Sequence, residues 1–135
     1  MYDKEFGIYA WSKNVSFGHM LKTDQLIKFV QVFLLDVGKK CTEKITPFIG
    51  HIKCYVSAPD KKGFYCSLVD LQKGIVVQGM TGDVFSEATF YVNALVYGLT
   101  DKQVELALEK AGSKFVQVLV DNAVQKYNPG QERRV

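Results

Sequence analysis

The sequence predicts an α+β domain: an antiparallel sheet of four to five strands with two helices packed on one face, in the order β-α-β-β-β-β-α. Three observations predict it. Apolar residues recur at helical spacing from Leu26 to Cys41 and again from Val104 to Leu119. Between these two stretches lie short segments of strand-like residues. The connections between most of them are too short for parallel crossovers, so the strands run antiparallel.

At 135 residues the chain fits one domain large enough to bury a core without disulfides or metal. The expected boundary is 1–128, with 129–135 as a frayed tail. A composition of 47% hydrophobic and 23% charged residues excludes a disordered chain. The net charge of +3 is spread over scattered lysines, with pairs only at Lys39-Lys40, Lys61-Lys62 and Arg133-Arg134. That pattern makes a nucleic-acid partner unlikely on electrostatic grounds. Three cysteines, Cys41, Cys54 and Cys66, form no Cys-x-x-Cys pair, which suits a reduced, cytoplasmic setting. The longest apolar segment, Leu26 to Val37, is broken by Lys28, Gln31 and Asp36 and falls short of the roughly 20 residues that span a bilayer. Neither export nor a membrane partner is expected.

Phe6 to Trp11 is aromatic-rich and reads as the first strand, and Ser12 to Lys22 reads as a connection holding Gly18 and His19. His19 has no candidate ligand near it in sequence and is expected to be a loop histidine. The first helix is expected from Thr23 or Asp24, either of which suits an N-cap, to about Lys44. Its stripe is Leu26, Phe29, Val30, Phe33, Val37 and Cys41. Ile27, Val32, Leu34 and Leu35 widen the apolar arc, so its second side is a candidate subunit contact.

After Thr46-Pro47 comes the central strand, Phe48 to Ser57. Side chains alternate with a period of two, which puts Phe48, Gly50, Ile52, Cys54 and Val56 on the core face. Ile49, His51, Lys53, Tyr55 and Ser57 then lie on the other. A turn over Ala58 to Lys62 returns the chain as Phe64 to Asp70. This pairing sets Val56 opposite Phe64, Tyr55 opposite Tyr65 and Cys54 opposite Cys66. A second turn over Asp70 to Gly74 leads to a strand from Ile75 to Met80, and a glycine-bearing connection, Gly79 to Glu87, follows. The last strand is Ala88 to Tyr97. Thr100 and Gln103 form a capping box for the last helix, whose stripe is Val104, Leu108, Ala111, Phe115 and Leu119. Asn128-Pro129-Gly130 ends it.

If both helices cover the core face, the opposite face collects the candidate binding residues His51, Lys53, Tyr55, Tyr65, Ser67, Gln78, Tyr91, Asn93 and Tyr97. A solvated sheet face usually carries Lys, Glu and Thr; this one is poor in charge and rich in tyrosine. Tyrosine pairs a rigid apolar ring with a polar tip, which suits a homodimer interface or a small-molecule site. His51 and Lys53, two residues apart on one face, are the weak catalytic candidates: a partly buried lysine beside a histidine sheds its proton more readily and can act as base or nucleophile. That alternative makes the chain a cofactor-independent enzyme with a pocket closed by the 79–87 loop. No phosphate-binding, dinucleotide, zinc-protease, nucleophile-elbow or EF-hand signature occurs, so no cofactor or metal is expected.

Overall fold

A computed structural model describes residues 6–42, 49–79 and 82–126. It contains β1 (Phe6–Lys22), α1 (Thr23–Cys41), β2 (Ile49–Ser57), β3 (Phe64–Leu68), β4 (Ile75–Gln78), β5 (Val84–Tyr97) and α2 (Asp101–Lys126). The strands form one antiparallel sheet in the order β1-β5-β2-β3-β4. The expected α+β architecture is therefore the observed one, with five strands.

Both helices lie on the same face. Val104, Leu108, Ala111, Phe115 and Leu119 of α2 are buried, as are Leu26, Val30, Phe33, Leu34 and Val37 of α1. They meet Ile52, Cys54, Val56, Phe64, Cys66, Leu68, Phe90, Val92, Ala94 and Val96 from the sheet. The helices are joined by the Phe33 and Phe115 rings, stacked with centroids 4.4 Å apart, while Phe90 meets Phe115 edge-on at 4.9 Å. α2 sits close on β1 because Gly112 offers no side chain there: a Cβ would lie 2.7 Å from the Trp11 ring.

The start of α2 is the expected capping box. Gln103 N donates to Thr100 Oγ1 at 3.1 Å, and Thr100 N donates to Gln103 Oε1 at 2.9 Å. The start of α1 differs from expectation. Thr23 and Asp24 are already helical and Lys22 is the boundary residue, its N–H donating to Gln25 Oε1 at 3.0 Å. Thr23 turns instead to the end of the β4–β5 connection, where both its N–H and its hydroxyl donate to the Asp83 carbonyl. α1 ends at Cys41, not Lys44, and the Thr42 N–H closes its last turn on the Gly38 and Lys39 carbonyls.

Three further expectations are corrected. The stretch Ser12 to Lys22 is not a connection but the second half of β1, and His19 falls within it. Its alternation is genuine: Val15 and Phe17 are buried under the helices while Ser12, Asn14 and Ser16 are exposed. The turn signal at Gly18, at φ +87°, marks a register shift between Ser16 and Leu21 inside the strand. The last strand starts at Val84, so the connection before it is shorter than 79–87. Finally, Ile49 lies on the helix side, packed against the core near Gly38. A bulge between Ile49 and His51 reverses the alternation, and Gly50 faces Leu95 and Tyr97 on the open side, where a Cβ would collide with Leu95. Phe48, Thr46-Pro47, Asn128-Pro129-Gly130 and the tail lie outside the described residues.

A candidate binding face on the open side of the sheet

From His51 onward the alternation holds, and the strand pairings arrange the open side in rows. β2 pairs with β3 in the expected register, with Tyr55 opposite Tyr65 and Cys54 opposite Cys66. β2 pairs with β5 so that Tyr55 faces Tyr91, Lys53 faces Asn93 and His51 faces Leu95. β1 extends these rows with Ser12 opposite Tyr91, Ala10 opposite Asn93 and Ile8 opposite Leu95. β4 completes them with Gln78 opposite Tyr65 and Val76 opposite Ser67.

One row is therefore three tyrosines on adjacent strands. The Tyr55 ring lies 4.6 Å from Tyr65 and 6.3 Å from Tyr91 by centroids, with interplanar angles of 34° and 24°. Tyr55 also drapes over the β2–β3 turn, where a Cβ on Gly63 would come within 2.6 Å of its ring. In the next row, Lys53 Nζ sits 4.7 Å from the Tyr65 centroid, within cation–π range. Tyr97 flanks the far end, edge-on to Phe6 at 6.0 Å.

All nine sequence-predicted residues are thus on one face. Tyr65, Tyr91 and Tyr97 are 39%, 47% and 45% exposed, and Ile8, Val69 and Val76 beside them are about half exposed. β1 contributes Phe6, Ile8, Ala10, Ser12 and Asn14; the first three lie in the stretch read as a strand but given no face, and Ser12 and Asn14 in the stretch read as a connection. The strand signal of that second stretch was present in the alternation of Ser12, Asn14 and Ser16 with Val15 and Phe17. Asn14 is tied into the face by its Nδ2, which donates to Thr89 Oγ1 at 2.7 Å.

His51 and Lys53 share the face, both exposed, with side chains two residues apart on one strand and hence roughly 6.8 Å apart at the backbone. Among the described residues no carboxylate hydrogen-bonds or ion-pairs with either. The pair can flank a ligand, but Lys53 is engaged by the Tyr65 ring and, among the described residues, none hydrogen-bonds His51 to orient it. Asp83, the described end of the connection that was to close a pocket here, is anchored to α1 on the helix side.

The cysteines lie on the other side of the sheet. Cys41, Cys54 and Cys66 are free and buried, and burial pushes the Cys41 and Cys66 thiols up to about 11 and 12, with Cys54 raised further. They are inert packing groups with no thiolate at neutral pH. No group of three His, Cys, Asp or Glu side chains among the described residues is placed to hold a metal ion. No described helix is long and apolar enough to cross a membrane.

Two grooves lie elsewhere. One, of about 640 Å³, runs between the helices over Phe29, Val32, Phe33, Phe115 and Val118. The other, of about 570 Å³, runs between β1 and α2. Neither is lined by any of the nine face residues.

Fold and face together define a two-layer α+β arrangement in which an aromatic sheet surface is covered by none of the described residues. Comparison with protein-family models, with curated proteins and with solved structures gives no match, so this description rests on the chain's own geometry.

Proposed function

We propose that the protein is a small self-associating module whose tyrosine-rich sheet face is its contact surface, with a second copy as the primary occupant. The observation that carries this is the stacked row Tyr91–Tyr55–Tyr65, standing uncovered on a face where Lys53 is the one formal charge in the rows from Ile8 to Gln78. Aromatic enrichment with depletion of charge is the compositional mark of interface centres. The face is broad enough as well. Five strands about 4.8 Å apart, carrying rows about 6.8 Å apart, offer on the order of 600 Å² per copy. Two copies then bury roughly 1,200 Å², at the lower bound of stable specific interfaces.

A second reading is favoured by the neighbouring row. Asn93, Lys53 and Ser67 lie side by side next to the tyrosines, so a planar small molecule bearing an anionic or carbonyl group would find a stacking surface and polar partners together. Enzymatic use of His51 and Lys53 has less support, because Lys53 lies against a ring and among the described residues no acid partners the pair. The buried, unpaired thiols are compatible with a cytoplasmic setting.

Sedimentation equilibrium between about 1 and 100 μM, with native mass spectrometry of the freshly purified protein, tests both. Dimers without retained small molecule that Tyr91→Ala dissociates support the interface. A monomer carrying a ligand of discrete mass supports the small-molecule site, and a bare monomer throughout overturns the proposal.

A further inference from the structure

The two edges of the sheet are unlike. β4 at one edge has four residues, the usual way of blunting an edge against unwanted pairing, whereas β1 at the other has 17. The Ile8 N–H donates to Asp101 Oδ1 at 2.9 Å, which fixes the phase of the outer edge: at Ile8 the backbone points away from β5. Alternation then directs the N–H and C=O groups of Ala10, Ser12 and Asn14 outward too. Among the described residues no strand pairs with them. The open stretch is bounded by the Asp101 plug at Ile8 and by the register shift after Ser16.

Alongside it runs the 570 Å³ groove. Trp11 and Lys13 line it from the strand, and Glu109, Gly112, Val116 and Asp121 from α2. A strand added there brings its helix-side side chains up to this groove, where a cation would answer Glu109 and Asp121. On the helix side of β1, Trp11 and Val15 are buried in their own core and Lys13 between them is exposed, so Lys13 is the side chain a second copy of this strand can offer to Glu109 and Asp121.

From this we infer a second association surface: β1 pairs antiparallel with β1 of another copy about a two-fold axis at Ser12, joining the sheets edge to edge. Ala10 then lies opposite Asn14 of the other copy and Trp11 opposite its Lys13. Each lysine is carried toward the other copy's acidic groove, so the one contact is made twice. The inference is independent of the tyrosine-face reading, since edge and face are different surfaces. Where both operate and their two-fold axes meet at right angles, the two isologous contacts close a tetramer with dihedral symmetry, with the tyrosine rows of edge-paired copies in one continuous sheet.

Ser12→Pro is the discriminating variant. The Ser12 N–H points outward, so proline there removes no β1–β5 bond, whereas it deletes both central bonds of the edge pair and places a ring between the strands. We expect edge association to weaken at least about 30-fold by sedimentation equilibrium. Amide exchange by NMR supplies a measurement on the unaltered protein: Ala10, Ser12 and Asn14 should be protected at 100 μM and lose protection on dilution. Tyr91→Ala, which acts on the face, should leave that protection in place. Exchange at these three amides that does not change with concentration overturns the edge pairing, whatever the face does. Concentration-dependent protection that persists while Tyr91→Ala leaves association unchanged upholds the edge and sinks the face.

Discussion

Truncation of Tyr91 gives the face its sharpest test. The side chain is 47% exposed, and a tyrosine presents roughly 200 Å² to burial, so about 90 Å² remains to be covered by a partner. At about 25 cal/mol per Å² that is about 2 kcal/mol of association, and a two-fold interface loses it from both copies. Tyr91→Ala should therefore cost about 4 kcal/mol of dimerisation, a roughly thousandfold rise in Kd. The fold should feel much less: Tyr55 keeps the nearer of its ring neighbours, Tyr65, and loses only the one at 6.3 Å, an effect of about 0.5–1 kcal/mol. Sedimentation equilibrium supplies the Kd, and urea unfolding at protein concentrations below it supplies monomer stability. A change in Kd of less than about threefold, with the fold intact, refutes the reasoning.

Other consequences concern the core that holds the face in place. The Cys54 thiol titrates well above its ordinary value, so the unfolded state ionises first as pH rises; stability is full below about pH 8.5 and falls above it. Between pH 8 and 10 this one group should remove about 2 kcal/mol, and Cys54→Ala should lose that much less over the same interval in urea titrations. Alkylation of the native protein should label none of the three buried cysteines rapidly. Thr100→Ala removes the acceptor for the Gln103 N–H and should lower stability by about 1 kcal/mol, read as a shift in the urea midpoint without a change of slope. Gly112→Ala gains helix propensity of about 1 kcal/mol, but it drives a methyl into a Trp11 ring already set edge-on to Phe33 at 5.3 Å. The expected sum is a net loss of about 1 kcal/mol; a stabilised variant would show that Trp11 can move.

Much of the site was legible because short turns leave little freedom. The Ala58–Lys62 connection, with Asp60 at φ +59°, admits a narrow choice of pairings, and the register that brings Tyr55 to Tyr65 and Cys54 to Cys66 follows from it. The α2 stripe was equally plain, since Val104, Leu108, Ala111, Phe115 and Leu119 keep one helical face and all are buried. What went unread was local irregularity. Gly50 and Gly18 each look like ordinary strand or loop glycines, yet one reverses the side on which Ile49 lies and the other lets β1 shift register without ending. Polar Ser12, Asn14 and Ser16 resemble a loop until the neighbouring β5 shows which side of them is covered. The grooves, and the pairing of Tyr9 Oη with Glu109 that raises the phenol to about 12, join residues a hundred positions apart and have no local signature.

The first strand of this chain also completes its pairing last. Phe6 lies opposite Tyr97 and Ser16 opposite Glu87, so nothing made in the first eighty residues can serve as its neighbour in the sheet. During synthesis at about 5–20 residues per second, Trp11, Val15 and Phe17 wait for several seconds without the strand or the terminal helix that will cover them. Non-local closure of this kind slows folding and lengthens the interval in which a nascent chain is open to chaperones and to other nascent copies.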